Sequence, residues 1–198
     1  MPERINWIQN NKTILDLPDN SIFIDYNHAG CVPTSKNAWS KDTDKPFIMV
    51  MSDDVELCNG FISYCKRIVN AHPDKIISLF PIQFTRPVPG SRLPKISPYI
   101  LTNKISGCGI IMRTEWVKPC INSWPPDAKD DDSSIHVWAV KNRIEVLTTL
   151  PSLIQHIGDV STIDTNRHLG KTPYFSKNPN NMDWDSKFIT SWTNIIDE

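Results

Sequence analysis

An apolar run, Pro46-Phe47-Ile48-Met49-Val50-Met51, gives way at once to Ser52-Asp53-Asp54-Val55-Glu56. The run has the composition of a buried strand. Carboxylates at the exit of such a strand are costly to desolvate unless a cation meets them. A hard divalent ion, held by oxygen ligands and bridging to phosphate oxygens, is the usual solution. The stretch is therefore a candidate metal–diphosphate site at the carboxyl end of a strand, where open α/β sheets place their ligands. The competing reading is structural: Asp and Glu also favour the first turn of a helix through its dipole.

The rest of the chain narrows the class. Its 198 residues suit one domain with a real core. Lys plus Arg number 21 and Asp plus Glu number 22, which argues against a strongly electrostatic nucleic-acid binder while leaving room for a local basic face. The cysteines at 31, 58, 65, 108 and 120 form no CxxC pair and no zinc spacing. They read as free thiols in a cytoplasmic protein. No signal peptide and no membrane span is expected.

Strand and helix patterns alternate, which predicts an α/β sandwich. Helices are expected at Pro2–Leu15 (Ile5, Ile8 and Lys12 near one face, with Trp7, Ile14 and Leu15 widening it), Thr34–Lys41 and Leu57–Ala71. Strands are expected at Ser21–Tyr26, Phe47–Met51, Ile76–Phe80, Gly107–Met112 and Arg143–Leu150. A short helix over Glu115–Ser123 should break at Pro119. Asp132 or Ser133 is expected to cap a helix that runs to Lys141. Residues 81–98, with prolines at 81, 87, 89, 94 and 98, read as a long surface excursion. A last helix is expected over Trp184–Ile196.

Several residues stand out as candidates. Asp54 is the first choice for metal contact, with Asp53 next to it. His156 can add a neutral imidazole, and His with carboxylate suits Mn²⁺. Asp25, with Gly30 and Asn37 nearby, suits nucleotide recognition from a strand end, although ordinary turn chemistry explains the Gly and Asn equally well. Gly107, in Ser106-Gly107-Cys108-Gly109, removes bulk where backbone must approach a ligand. The run Asp130-Asp131-Asp132 is either a solvated capping turn or a carboxylate base, with Asp131 and Asp132 the better candidates. Arg167, with His168 and Lys171, offers cations for a diphosphate.

Three of these stretches together resemble the nucleotide-sugar glycosyltransferases of the GT-A fold. They are Ile22-Phe23-Ile24-Asp25-Tyr26-Asn27 with Gly30 and Asn37-Ala38-Trp39; Val50 to Phe61 around the Asp pair; and Pro151-Ser152-Leu153-Ile154-Gln155-His156-Ile157-Gly158 with Ser161. The ordered set spans about residues 2 to 165 and looks closest to small bacterial and phage enzymes. The resemblance implies a Rossmann-type three-layer sandwich with a mixed central sheet, formed by residues 1–198 as one domain. It implies a donor half (2–80), an acceptor and catalytic half (81–165) and a flexible tail or lid (166–198).

It further implies a UDP-sugar donor, Mn²⁺ or Mg²⁺ on Asp54 and His156, and donor contacts from Asp25, Gly30, Asn37, Asp53, Gly107 and Arg167. Asp131 or Asp132 would be the base for an acceptor hydroxyl. The acid-x-acid triplet is either Ser52-Asp53-Asp54 or Asp54-Val55-Glu56. Relatives begin with a strand where this chain leads almost directly into a helix.

The acceptor is expected to be a hydroxymethylated base in phage-type DNA, which would put the protein in the host cytoplasm, or else a glycan or cell-surface saccharide. Arg86, Arg92, Lys95, Lys104 and Lys118 could track a phosphate backbone. A metal-dependent phosphoryl hydrolase such as a nuclease uses similar acids but leaves the Pro151–Gly158 segment unexplained. A binding-only protein on the same scaffold is the third possibility. Oligomeric state is not legible in the sequence.

Overall fold

The computed structural model describes residues 2–16, 21–23, 29–82, 98–158 and 171–191. In chain order the elements are α1 (Pro2–Leu15), α2 (Cys31–Trp39), β1 (Phe47–Met51), β2 (Val55–Leu57), α3 (Phe61–Ala71), β3 (Ile76–Ser78), β4 (Tyr99–Thr102), β5 (Gly109–Arg113), α4 (Thr114–Asn122), α5 (Asp131–Lys141), β6 (Val146–Thr149), β7 (Ile154–His156) and β8 (Thr190–Ser191). Six strands form a mixed sheet in the order β1-β5-β3-β6-β4-β8, and β2 and β7 form a separate antiparallel ribbon.

Side chains one residue apart along a strand face opposite ways, and the sheet uses both faces. Ile77, Ile111 and Leu147 meet Phe61, Tyr64, Cys65 and Ile68 of α3, together with Trp184. Their strand neighbours Ile76, Ile110, Met112 and Val146 meet Trp39 of α2, Val117 and Cys120 of α4, and Ile135, Trp138 and Ala139 of α5. Helices thus cover both faces, the α/β arrangement expected from the alternating pattern. Truncating one of the large inward groups, Phe61 or Trp184, to Ala should cost about 3–5 kcal/mol.

The local departures from expectation have physical reasons. The helix expected from Leu57 starts only at Phe61, because Val55 and Leu57 point inward and Glu56 outward, a period of two that makes β2. Gly60 precedes α3 with φ of 72°, a backbone value that glycine adopts without a Cβ clash. Helix α4 runs unbroken through Pro119, which removes one internal hydrogen bond from a helix that ends three residues later. Asp130, not Asp132 or Ser133, caps α5. Strand β4 follows the proline-rich stretch directly, where no element was expected.

In α1 the buried face carries Asn11 and Leu15, while Ile5 and Ile14 are exposed. Ser21–Phe23 is not a strand, and residues 24–26 of that expected element lie outside the described residues. No helix forms over 184–189: Trp184 sits in a turn, fully buried, and Tyr99 Oη donates to its carbonyl.

Within the stretch read as a tail or lid, residues 171–191 pack on the domain. The Gln155 side-chain amide bonds both the Thr172 carbonyl and the Thr172 N–H at 2.9 Å, and β8 joins the sheet edge beside β4. No helix among the described residues is long and apolar enough to cross a membrane.

Candidate functional site

The acidic stretch leaves β1 at the sheet end shared by the carboxyl ends of β1, β3 and β6, which the strand directions make parallel to one another. After Ser52-Asp53-Asp54 the chain turns into β2, and β2 pairs with β7 so that Val55 lies opposite His156. The Ile157 N–H donates to the Asp54 carbonyl at 2.9 Å. On the other side of β2, Asn11 Nδ2 of α1 donates to the Val55 carbonyl at 2.8 Å. The two segments singled out in the sequence are thereby clasped together.

The clasp sets the geometry of two side chains. His156 Nε2 lies 3.3 Å from Asp54 Oδ2, and both groups are buried, at 2 % and 8 % exposure. His156 Nδ1 has no hydrogen-bond partner among the described residues. A Cβ on Gly158 would stand 2.7 Å from Asp54 Oδ2 and 3.1 Å from His156 Cε1, so Gly158 packs against the pair where a larger residue would crowd it.

These observations test whether a divalent ion fits. Two ligand atoms on neighbouring corners of an octahedron with bonds of ~2.1 Å lie ~3.0 Å apart, close to the separation seen. One carboxylate oxygen and one imidazole nitrogen are a donor set suited to Mn²⁺. Among the described residues no three His, Cys, Asp or Glu side chains gather to hold a metal by themselves. Asp54 and His156 would therefore supply at most two ligands, and a bound ion would need phosphate or water oxygens for the rest.

A second acidic group meets the same strand end. Ser52 binds the loop before β5 twice: its N–H donates to the Cys108 carbonyl at 3.2 Å and its Oγ to the Gly107 carbonyl at 3.3 Å. The Gly107 N–H donates to Asp132 Oδ2 at 3.1 Å. A Cβ on Gly107 would approach Asp131 Oδ1 to 3.3 Å, so this glycine allows backbone and acids to sit close. Burial pushes the Cys108 thiol up to about 12, and the charges of Asp54 and Asp132 add to the rise, so one thiol feels both acidic groups.

The three consecutive aspartates have different surroundings. Asp130 accepts the Ser133 N–H at 3.0 Å as the helix cap. Asp131 is buried and accepts the hydroxyl of Ser35, 96 residues away in α2. Asp132 is half-buried, and its second oxygen accepts Ser133 N–H at 2.7 Å. Burial, then the neighbouring Asp130, push the Asp132 carboxyl up to about 6, against the lowering effect of the Gly107 N–H.

The remaining candidates divide. Asp53 is half-buried beside Asp54. Gly30 stands at the start of α2 with φ of 98°, and its carbonyl accepts both the N–H (3.3 Å) and the hydroxyl (2.9 Å) of Thr34. Asn37 is exposed on α2, whereas Ser35, two residues earlier, reaches the acids. Asp25 and Arg167 lie outside the described residues, as do Arg86, Arg92, Lys95 and His168.

The helix-first-turn reading of Asp53 and Asp54 does not hold, because a strand follows them. Sequence reasoning passed over Ser35; its signal was a small polar residue four positions before Trp39, on the same helix face. No protein-family model and no curated protein sequence matches the chain.

Proposed function

We propose that the chain is a metal-dependent glycosyltransferase of GT-A type, moving a sugar from a UDP-sugar to an acceptor hydroxyl. The observation that carries this reading is the Asp54–His156 pair, buried and 3.3 Å apart at the carboxyl end of the central sheet, with Gly158 packed against it. Asp54 and His156 would hold Mn²⁺ or Mg²⁺, which supplies Lewis-acid neutralisation of the leaving diphosphate. Asp53, beside Asp54, would contact the donor's ribose hydroxyls or the same ion. Gly107 offers backbone without bulk next to the acids.

Asp132 is the group suited to take the acceptor's proton. Its pKa of about 6 leaves it ionised at neutral pH and more basic than an ordinary carboxylate. As the acceptor oxygen bonds to the sugar's anomeric carbon, the bond from that carbon to the β-phosphate oxygen breaks. The electron pair leaves with UDP, and the acceptor proton passes to Asp132. This single displacement inverts the anomeric centre. A hydroxymethylated base in DNA is the first acceptor to try, and a glycan the second.

The test is a panel of nucleotide sugars with Mn²⁺, scored by protection against thermal unfolding and by UDP release with each acceptor. A donor that binds the native state raises its stability as RT ln(1 + [L]/Kd). Metal-dependent protection by a UDP-sugar, followed by UDP release, is the expected result. Cleavage of nucleic acid with no UDP-sugar effect would replace this reading with a nuclease.

A further inference from the structure

We infer that Ser35 is a positioning residue: its hydroxyl ties Asp131 to α2 and so fixes the first turn of α5 with the Asp132 carboxylate on the Gly107 amide. The three acids then divide their work. Asp130 caps the helix, Asp131 anchors it, and Asp132 is left to act. That Asp132 acts on an acceptor hydroxyl rests on the transferase reading; the positioning itself does not.

The geometry is specific. Ser35 and Asp131 are both buried, and the bond joins helices far apart in sequence. Asp131 is the first residue of α5, so holding its side chain holds the turn that presents the next residue. Asp132 in turn spans two elements, with one oxygen on Ser133 N–H of its own helix and the other on Gly107 N–H across the site. The Gly107 carbonyl is bound by Ser52, two residues before Asp54. A continuous set of polar contacts therefore runs from α2 through α5 and the Gly107 loop to Ser52 at the exit of β1, two residues before Asp54.

The titratable groups facing Asp132 are Asp130 and Asp131 on its own helix and Cys108 from the loop before β5. Cys31, on α2, lies near the same three acids; burial, then their charges, raise its thiol to about 11. Among the described residues, burial, Asp130, the Gly107 N–H and Asp131 lead the influences on Asp132, so its titration reports how closely the other acids are held against it.

The experiment uses the full chain with Ser35→Ala, Ser35→Cys and Ser35→Thr. Alanine is the strongest helix former, so α2 should tolerate it. Carbon-13 NMR of the Asp132 carboxyl should titrate near 6 in the unaltered chain. It should fall by about half a unit or more in Ser35→Ala, as the turn loosens and solvent reaches the group. Ser35→Cys, a weak donor of similar size, should shift it less, and Ser35→Thr should restore it.

In transfer assays Ser35→Ala should lower kcat about tenfold with donor KM within about twofold. An unmoved Asp132 midpoint in a folded Ser35→Ala, or in Ser35→Cys should alanine fail to fold, overturns the inference. If the unaltered chain transfers no sugar, the transferase reading fails, and the NMR titration still decides the role of Ser35.

Discussion

Two acidic regions meet at one end of the sheet, and they are built differently. At the β2–β7 ribbon, Asp54 faces an imidazole whose second nitrogen has no partner among the described residues, with a glycine packed against both. At the start of α5, three neighbouring carboxylates are met by protein donors: the Ser133 and Gly107 amides and the Ser35 hydroxyl. The first region suits an ion brought from outside. The second has its charge met internally, leaving one carboxyl with a raised pKa. Aspartate serves both, and its neighbours decide whether it binds a cation or holds a proton.

The largest effect should come from breaking the first region. Asp54→Ala removes the carboxylate proposed to hold the ion, and we expect about a 10³-fold loss of transfer, with no donor protection by Mn²⁺ in a thermal melt. The folded baseline should persist, because the β2–β7 pairing that holds this region is made by backbone. Transfer at the original rate by Asp54→Ala would remove the metal pair from the chemistry.

The second region should respond to pH. The Asp132 carboxyl is held above its ordinary value of 3.8, so the folded chain binds that proton more tightly than the unfolded chain. Its contribution to stability is complete below about pH 4 and is lost as pH rises through about 6, a change of about 3 kcal/mol. Transfer should rise over the same window as the base ionises. Asp132→Asn keeps an acceptor for Gly107 and abolishes the titration. We expect a 10²-fold or greater loss of transfer together with a higher Tm at pH 8, measured by calorimetry. A lower Tm at pH 8 would mean that the charge stabilises the site.

The sequence made the two regions legible to different degrees. Strand β1 and its acidic exit were readable because an apolar run stopped at two charges. His156 was readable only through a segment pattern, since nothing in the spacing brings residue 156 to residue 54. The β2–β7 ribbon that does so is three residues a side, too short for a periodic signal, and its Leu57 was assigned to the expected helix that follows. The α5 start was readable as a capping turn, but which acid caps depends on backbone dihedrals. Ser35 was invisible as a partner because its bond crosses 96 residues. Strand β4 was hidden by the prolines before it, and the end of the chain by Trp184, whose burial comes from tertiary packing.

A narrower break tests the glycine packed against Asp54 and His156. Gly158→Ala places a methyl 2.7 Å from Asp54 Oδ2, so the carboxylate must shift. We expect about a tenfold weaker Mn²⁺ affinity by titration calorimetry and about 1–3 kcal/mol of lost stability. Loss of stability with unchanged affinity would mean that the ion approaches from another direction.

The smallest effect should come from the outside of the ribbon. Lys177 Nζ donates to Glu56 Oε1 and to the Leu57 carbonyl, both at 2.9 Å, holding the 171–191 segment against β2. Both side chains are nearly half-exposed, so solvent screens the pair and the ion pair is worth no more than about 0.5 kcal/mol. Lys177→Met should lower Tm by about 1–2 °C and leave Mn²⁺ affinity within about twofold. The reason is that the Asp54–His156 geometry is set from within the ribbon, by the Val55–His156 register and the Ile157 amide on the Asp54 carbonyl. A drop in affinity beyond tenfold would show that the returning segment sets the metal geometry, and the first region would then depend on distant packing as much as the second depends on α2.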